Sequence, residues 1–562
     1  MLQMTFHVLL SDDVHLHPRN FASLFDLLNT TATIKYSTLQ QGRTLWNRYG
    51  EYVGVPEIED IAEHLRSLDE SRLRELTCKI GSGSTNAFEI ARAEILSFVT
   101  TRDKGWYRNP IPNNDDIIFS KLYSQNNSLL RLNLAAVLHW CSIYATEIRR
   151  YPRAKVCVVF SGSQIYQRLL LEHCKSSNSR AIVVESFQTG DDFYFEERYT
   201  PISAGSDIRY STVFNSLALP ADPLERQNER NIALNKLLNG QNKNVTQPDE
   251  AVLPDFKGSA PCILVSAQVQ NDFSILESKL EDVNAIANYK RIVEGIISTT
   301  DFNVIIKTHP WERRKTHLGR PFTYEELTTY FNDLQPEERS RIHICENENL
   351  RKLLNRCDAF VTLTSQSAIE ACLYGGLRPF TAGHPFYSAK GFSNDYQNVG
   401  DLIAALRDDR SKWCLELSEY ESFVDFVTRL LQVQLASIHR SGVRLIRDRI
   451  IGHEFVEVGK MSLSRDSKQT TSVAVKKPQS MVKPPPITMS SSEDPPDSTD
   501  DKAYQNIAPY RRPLVPIVRP FVARIGNKKD VRDFDSDPAE FFAKLRNPWY
   551  RGVGAILFPP RR

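Results

Sequence analysis

The sequence predicts an α/β protein: two Rossmann-like domains, each a doubly wound parallel sheet, facing one another across an interdomain cleft. Two observations carry this expectation. Short continuous apolar runs alternate with longer helix-like patterns in two successive sets, and strands sheathed by helices on both faces read as unbroken apolar runs. Between the sets lies a polar stretch broken by Pro and Gly, without period, which is how a linker reads.

The first set occupies residues 1–240, where TFHVLL, TATIKY, KVCVVF and AIVVES read as strands among helical patterns such as SLLRLNLAAVLHWCSIYATEIRR. The linker is LLNGQNKNVTQPDEAVLPDFKGSAP. In the second set, residues 255–416, the strands are CILVSAQ, NVIIKTHP, RIHICE, DAFVTLT and RPFTAG, with helices near 283–299, 323–334, 347–356 and 366–374. Five short strands with intervening helices make a parallel, doubly wound sheet. Residues 417–460 read as a helical segment bracing the two halves. Residues 463–505 are rich in Ser, Thr, Pro, Lys and Asp without aromatic anchors, the composition of a disordered linker. Residues 506–562 mix aromatics with 12 Lys and Arg against 5 Asp and Glu, a basic amphipathic tail suited to an anionic bilayer surface or to a partner protein.

Bulk composition excludes several classes. In 562 residues, 70 Lys and Arg stand against 68 Asp and Glu, so the whole chain is no unselective nucleic-acid binder. No run approaches the roughly 18 apolar residues of a membrane span, and the N-terminus lacks a basic n-region; the expectation is a cytoplasmic protein. The nine cysteines are scattered and form no CxxC pair, which fits free thiols in a reducing compartment.

Ligands of open α/β sheets bind at the carboxyl ends of the strands, so the candidate residues lie there. In VTLTSQSAIEACLYGG, Ser365, Gln366 and Ser367 end a strand and open a helix carrying Glu370. Two readings stand: a phosphate on the helix start with Glu370 accepting from a ribose diol, or a capping box with Ser367 as N-cap. His309 and Pro310 close NVIIKTHP, with Lys307, Arg313 and Arg314 nearby; such a cluster suits a phosphate or carboxylate. Gln268 and Asp272 follow CILVS, and Glu185 ends AIVVES. Asp272 also suits a turn or N-cap, but carboxylates from opposite walls of a cleft suit glycosyl chemistry, one at the anomeric carbon and one for the proton of the incoming hydroxyl. Weaker motifs are GSGS at 81–84, read as a turn, HLH at 15–17, which lacks a third metal ligand, and DFDSD at 533–537, read as solvated charge.

Together QVQNDFSI, IKTHP and TSQSAIEACLYGGLRPFTAGHPFYSAKGF, with VVFSGSQ and AIVVESF upstream, resemble the bacterial capsule polysaccharide biosynthesis family of retaining β-Kdo glycosyltransferases, which use CMP-Kdo. The resemblance covers roughly residues 150–395. It implies a GT-B fold, no metal and no cofactor beyond the donor substrate, and a peripheral enzyme at the inner face of the cytoplasmic membrane. Its partners would be a nucleotide sugar and a lipid-linked saccharide acceptor, with no nucleic acid. Carried over, the roles are Asp272 as nucleophile or cation stabiliser, Glu185 as acid/base, His309 on the CMP phosphate, Ser365 and Ser367 on the nucleotide and Glu370 on its ribose. Lys307, Arg313 or Lys390 would balance the carboxylate of the donor sugar. A covalent intermediate and front-face attack both remain open, as do a GT-B transferase or epimerase using another nucleotide sugar and a non-catalytic scaffold of a polysaccharide assembly complex.

Overall fold

The computed structural model describes residues 6–80, 83–151, 154–203, 205–241, 248, 254–256, 258–310, 312–315, 319–451, 534 and 538–544. Met1–Lys460 form one compact unit and Met461–Arg562 another. The strands of the first half are β1 (Phe6–Leu10), β2 (Ile34–Thr38), the hairpin β3 (Thr77–Ile80) and β4 (Gly83–Asn86), β5 (Ala154–Phe160), β6 (Arg180–Ser186) and β7 (Asp192–Glu197). Those of the second are β8 (Cys262–Ser266), β9 (Asn303–Lys307), β10 (Ile342–Cys345), β11 (Ala359–Thr362), β12 (Phe380–Ala382) and β13 (Asn394–Tyr396), and β14 (Ala436–Ser437) comes last.

Two six-stranded sheets result, in the orders β14-β7-β6-β5-β1-β2 and β10-β9-β8-β11-β12-β13. The second is parallel throughout. By position in its own domain its order is 3-2-1-4-5-6, the doubly wound Rossmann order, with its switch point between β8 and β11. Ser266 is in register with both Lys307 and Thr362, so the segments after all three strands emerge on one rim. Ile263, Leu264 and Val265 of β8 are fully buried, as an apolar run covered on both faces must be. The helix Ala285–Thr299 buries Ile286, Tyr289, Ile292, Val293 and Ile296, spacing that turns one stripe onto the sheet. Asn284 caps it, accepting from Ala287 N at 3.2 Å.

In the first sheet β2, β1, β5 and β6 are parallel, while β7 pairs antiparallel with both β6 and β14. Sequence periodicity misses β7 and β13. In DFYFEE the apolar core is flanked by acids, and the short NDY segment is held at a sheet edge partly by Thr381 Oγ1 donating to Asp395 Oδ1 at 2.8 Å. The linker reading also starts too early, because Leu237 and Leu238 still belong to the helix Pro223–Asn239. After Leu417–Thr428 the chain returns to the first sheet, where β14 pairs with β7 and the helix Gly442–Ile451 packs against Ala22–Thr30.

Between β2 and β5 lies a helical insertion that includes Pro56–His64, Ala87–Arg102, Asp115–Gln125 and Asn127–Glu147. The last of these buries Leu130, Leu134, Val137 and Trp140. The insertion also grips the second domain. Asn113 Nδ2 donates to the carbonyls of Ser278 and Leu280 (3.0 and 2.8 Å), and Asn284 Nδ2 to those of Trp106 and Asn109 (3.0 and 2.8 Å). Tyr107 meets Phe322 edge to face at 4.8 Å.

Of the GSGS motif, Gly83 and Ser84 open β4, which pairs antiparallel with β3, and residues 81 and 82 lie outside the described residues. All nine cysteines are free thiols. No helix among the described residues is long and apolar enough to cross a membrane. The expected linker, residues 463–505, lies outside the described residues, as does most of the tail. Within the second unit the helix Pro538–Lys544 is described, and Phe534 meets Phe541 and Phe542 at 5.7 and 5.9 Å.

Candidate functional site

The carboxyl ends of both sheets border a cavity of about 770 Å³. Of the predicted residues, Glu185, Gln268, Asp272, Lys307, His309, Ser365, Gln366, Ser367 and Glu370 all line it. Glu185 comes from the end of β6 in the first domain and Asp272 from the turn after β8 in the second, so one carboxylate from each domain meets the same space.

Hydroxyls cluster at the β8/β11 switch point. Ser266 Oγ lies 2.9 Å from Ser367 Oγ, which donates to Ser365 Oγ at 2.8 Å. Tyr387 OH donates to Ser365 O at 2.8 Å, and Ser274 Oγ lies 3.0 Å from Thr364 Oγ1. Gln268 is the strut beneath them. Its Oε1 accepts from Thr364 N and Oγ1 (2.9 and 3.1 Å), while its Nε2 donates to Ser274 Oγ and Asp272 Oδ2 (2.9 and 3.4 Å). Asp272 caps the short helix Phe273–Leu276 through Ser274 N at 3.0 Å. The turn reading and the cleft reading of this residue are therefore compatible: the cap orients the carboxylate.

The capping-box reading of Ser367 does not hold. Ser367 is the first helical residue, and Ser365 Oγ accepts from its N–H at 3.2 Å. The α-turn Ser367–Glu370 then passes into a π-helical turn, Ala371–Gly375, and such widened turns recur at functional sites. Glu370 is freed from capping and recessed at the cavity wall. Burial pushes its carboxyl up, against the opposing pull of Arg351 and Lys307.

The predicted cations have other work. Lys307 is buried and donates to the carbonyls of Thr308 and Glu346 at 2.9 and 2.7 Å; burial lowers its pKa. Arg313 forms a forked pair with Glu346, both contacts 2.8 Å, and the Arg314 side chain lies outside the described residues. Lys390 is a correction: it does not line the cavity. Its ammonium donates to Arg209 O at 2.9 Å and sits 5.1 Å from the Phe214 ring, which ties the aromatic loop of the second domain to the first. The loop aromatics Phe386, Tyr387 and Phe392 are buried, with Phe392 packed on Phe423 and Phe426.

Sequence reading missed Glu312, which is buried and holds the segment after His309. It accepts from Thr323 N and Oγ1 (both 2.7 Å) and Gln270 N (3.4 Å), and burial pushes it up to about 7. It also missed the wall formed by Arg351 and Tyr374, whose guanidinium and ring lie 4.3 Å apart, and Gly383. That glycine has φ +81, and a Cβ there would meet Leu280 and Thr364 at 2.9 and 3.0 Å. In HLH, His15 Nδ1 contacts Asp12 Oδ1 at 3.1 Å and the ring stacks on Phe160 at 4.6 Å.

Two Rossmann-like sheets in one unit, with polar side chains from both converging at their carboxyl ends, make up a GT-B architecture. Residues 223–411 match the family model described as capsule polysaccharide biosynthesis protein, which bears out over that segment the family resemblance read from the sequence. No curated protein matches the chain. Solved structures similar to it include the Thermosulfurimonas dismutans KpsC β-Kdo 2,4 transferase, at 14% identity and TM-score 0.34 over 52% of this chain and 88% of that one. The β-Kdo 2,7 transferase of the same organism has 14% identity and TM-score 0.30 over 54% and 88%. A Methanocaldococcus jannaschii UDP-GlcNAc 2-epimerase has 13% identity and TM-score 0.28 over 76% and 99%.

Proposed function

We propose that the protein is a retaining glycosyltransferase of surface polysaccharide biosynthesis that passes an acid sugar, Kdo, from CMP-Kdo to a glycan or lipid-linked acceptor. The observation that carries this reading is the single cavity lined by Asp272 from one domain and Glu185 from the other, with strand-end hydroxyls and Glu370 beside them. The CMP phosphate would lie against Ser365, Ser367 and His309, where hydroxyl and imidazole donors offset charge as it develops on the leaving group. Glu370, an acceptor when ionised, suits the ribose diol. Asp272 acts at the anomeric carbon, oriented by Gln268. Glu185 takes the proton of the acceptor hydroxyl. No metal has a part in this scheme. Residues 506–562 would attach the protein to the anionic inner face of the cytoplasmic membrane.

One observation favours a second reading, a nucleotide sugar without a carboxylate: Lys307, Arg313 and Lys390, the cations expected to balance that group, each engage protein partners. CMP release from CMP-Kdo tests the first reading, using wild type and Asp272→Ala with and without a crude lipid-linked acceptor. Acceptor-dependent release that disappears in the variant supports it. Absent release by wild type, together with thermal stabilisation by UDP but not CMP, overturns it in favour of the second.

A further inference from the structure

Besides Asn113, the helical insertion meets the segment after β8 through Tyr49. Residues 47–50 run through strained backbone, with φ +65 at Asn47, +51 at Tyr49 and +85 at Gly50. Non-glycine residues occupy the left-handed region at a cost, and such strain persists only where the surroundings enforce it. Here the enforcement comes from Glu94, a buried carboxylate of the helix Ala87–Arg102. It accepts from Gly50 N and Tyr52 OH, both at 2.7 Å, and from Ile165 N at 2.6 Å. Asn133 Nδ2 donates to Gly50 O at 3.1 Å from a second helix.

The residue held this way is Tyr49. Its ring lies nearly parallel to Phe273 of the other domain, centroids 6.4 Å apart, and Phe273 adjoins Asp272 and lines the cavity. Its hydroxyl hydrogen-bonds to the Gln164 side chain. Burial first, then the Glu94 and Glu185 carboxylates, push that hydroxyl up to about 12, so it stays a neutral phenol. Tyr49 thus contacts the turn that carries one candidate carboxylate and sits within the field of the other.

We propose that Tyr49 is a positioning residue, holding the Asp272–Phe273 turn at a fixed distance from Glu185 and so favouring sugar transfer to the acceptor over transfer to water. The proposal rests on the transferase reading. In that step the acceptor oxygen ends bonded to the anomeric carbon, the bond from that carbon to the CMP phosphate breaks, and the acceptor proton passes to Glu185. Water substitutes for the acceptor whenever the two walls are loosely aligned.

The test uses the full chain as wild type, Tyr49→Phe and Tyr49→Leu. The first assay follows CMP release and glycan product from CMP-Kdo. Tyr49→Leu is expected to lower the ratio of transfer to hydrolysis about tenfold with the donor KM within about twofold, and Tyr49→Phe, which keeps the ring, to stay within about threefold of wild type. A purely structural defect lowers transfer and hydrolysis together; an unchanged ratio in Tyr49→Leu overturns the proposal. The second assay is amide hydrogen exchange, expected to quicken about tenfold at residues 272–276 in Tyr49→Leu alone. Unchanged exchange there overturns the proposal whatever the donor. A wild type that releases no CMP counts against the donor assignment, and exchange at the turn then decides for or against Tyr49 on its own.

Discussion

Glu312 supplies a test that needs no substrate. Its carboxyl is held by Thr323 and Gln270 and pushed up from 4.5 to about 7, chiefly by burial and further by Glu346. The sign follows from linkage: a carboxyl whose folded pKa exceeds its unfolded one contributes stability that is complete below pH 4.5 and is lost as pH rises through 7. A shift of about 2.5 units corresponds to about 3 kcal/mol in all, of which about 2.5 kcal/mol falls between pH 5 and pH 8. A unit of 460 residues unfolds with an entropy of about 1 kcal/mol/K, so the Tm difference is about 2–3 °C. Glu312→Gln keeps the volume but sets an amide NH₂ against donors, so the variant melts below wild type at pH 5. The gap should narrow by about 2–3 °C at pH 8, because only wild type loses stability at this position. Asp207 and Asp282, each pushed up to about 6 by burial, titrate in both proteins and cancel. Melting curves of wild type and variant at the two pH values make the measurement. A gap that stays constant within about 0.5 °C would show that Glu312 does not titrate in this range, and the burial argument would fail.

Two further outcomes follow from the placement of charge. Lys390→Met should leave kcat and donor KM within about twofold while lowering Tm by about 1–3 °C, the loss of one charged hydrogen bond spread over the unit; a tenfold rise in donor KM would put the ammonium at the sugar after all. Deletion of residues 506–562 should release the protein from anionic liposomes in a flotation assay and leave transfer to a soluble acceptor unchanged. Equal flotation of the truncated protein rules out the tail as the tether.

Sequence reading finds strands such as CILVS and NVIIK, buried along almost their whole length, because an unbroken apolar run encodes two-sided burial locally. The same runs mark their own ends, and strand ends are where an open α/β sheet binds ligands. Gln268, Asp272, His309, Ser365 and Glu370 were legible for that reason, as was Glu185 on the opposite wall.

What the sequence could not yield depends on contacts between distant segments. Lys390 and Lys307 look like free cations in one dimension, but their ammonium groups are committed to carbonyls that folding brings to them. The edge strands β13 and β14 are too short to carry a period and exist because a neighbour supplies hydrogen bonds. Glu312 and Glu94 read as ordinary surface acids until the fold encloses them among backbone donors. The insertion is the largest case. Its helices are plain in the sequence, but only the tertiary structure carries Tyr49 to Phe273 and Asn113 to Ser278. The sequence by itself determined two sheets and the rim where their ligand groups gather. The tertiary structure decided which of those groups face the cavity and which hold others in place, because a polar side chain removed from water must take whatever partner the packed chain presents.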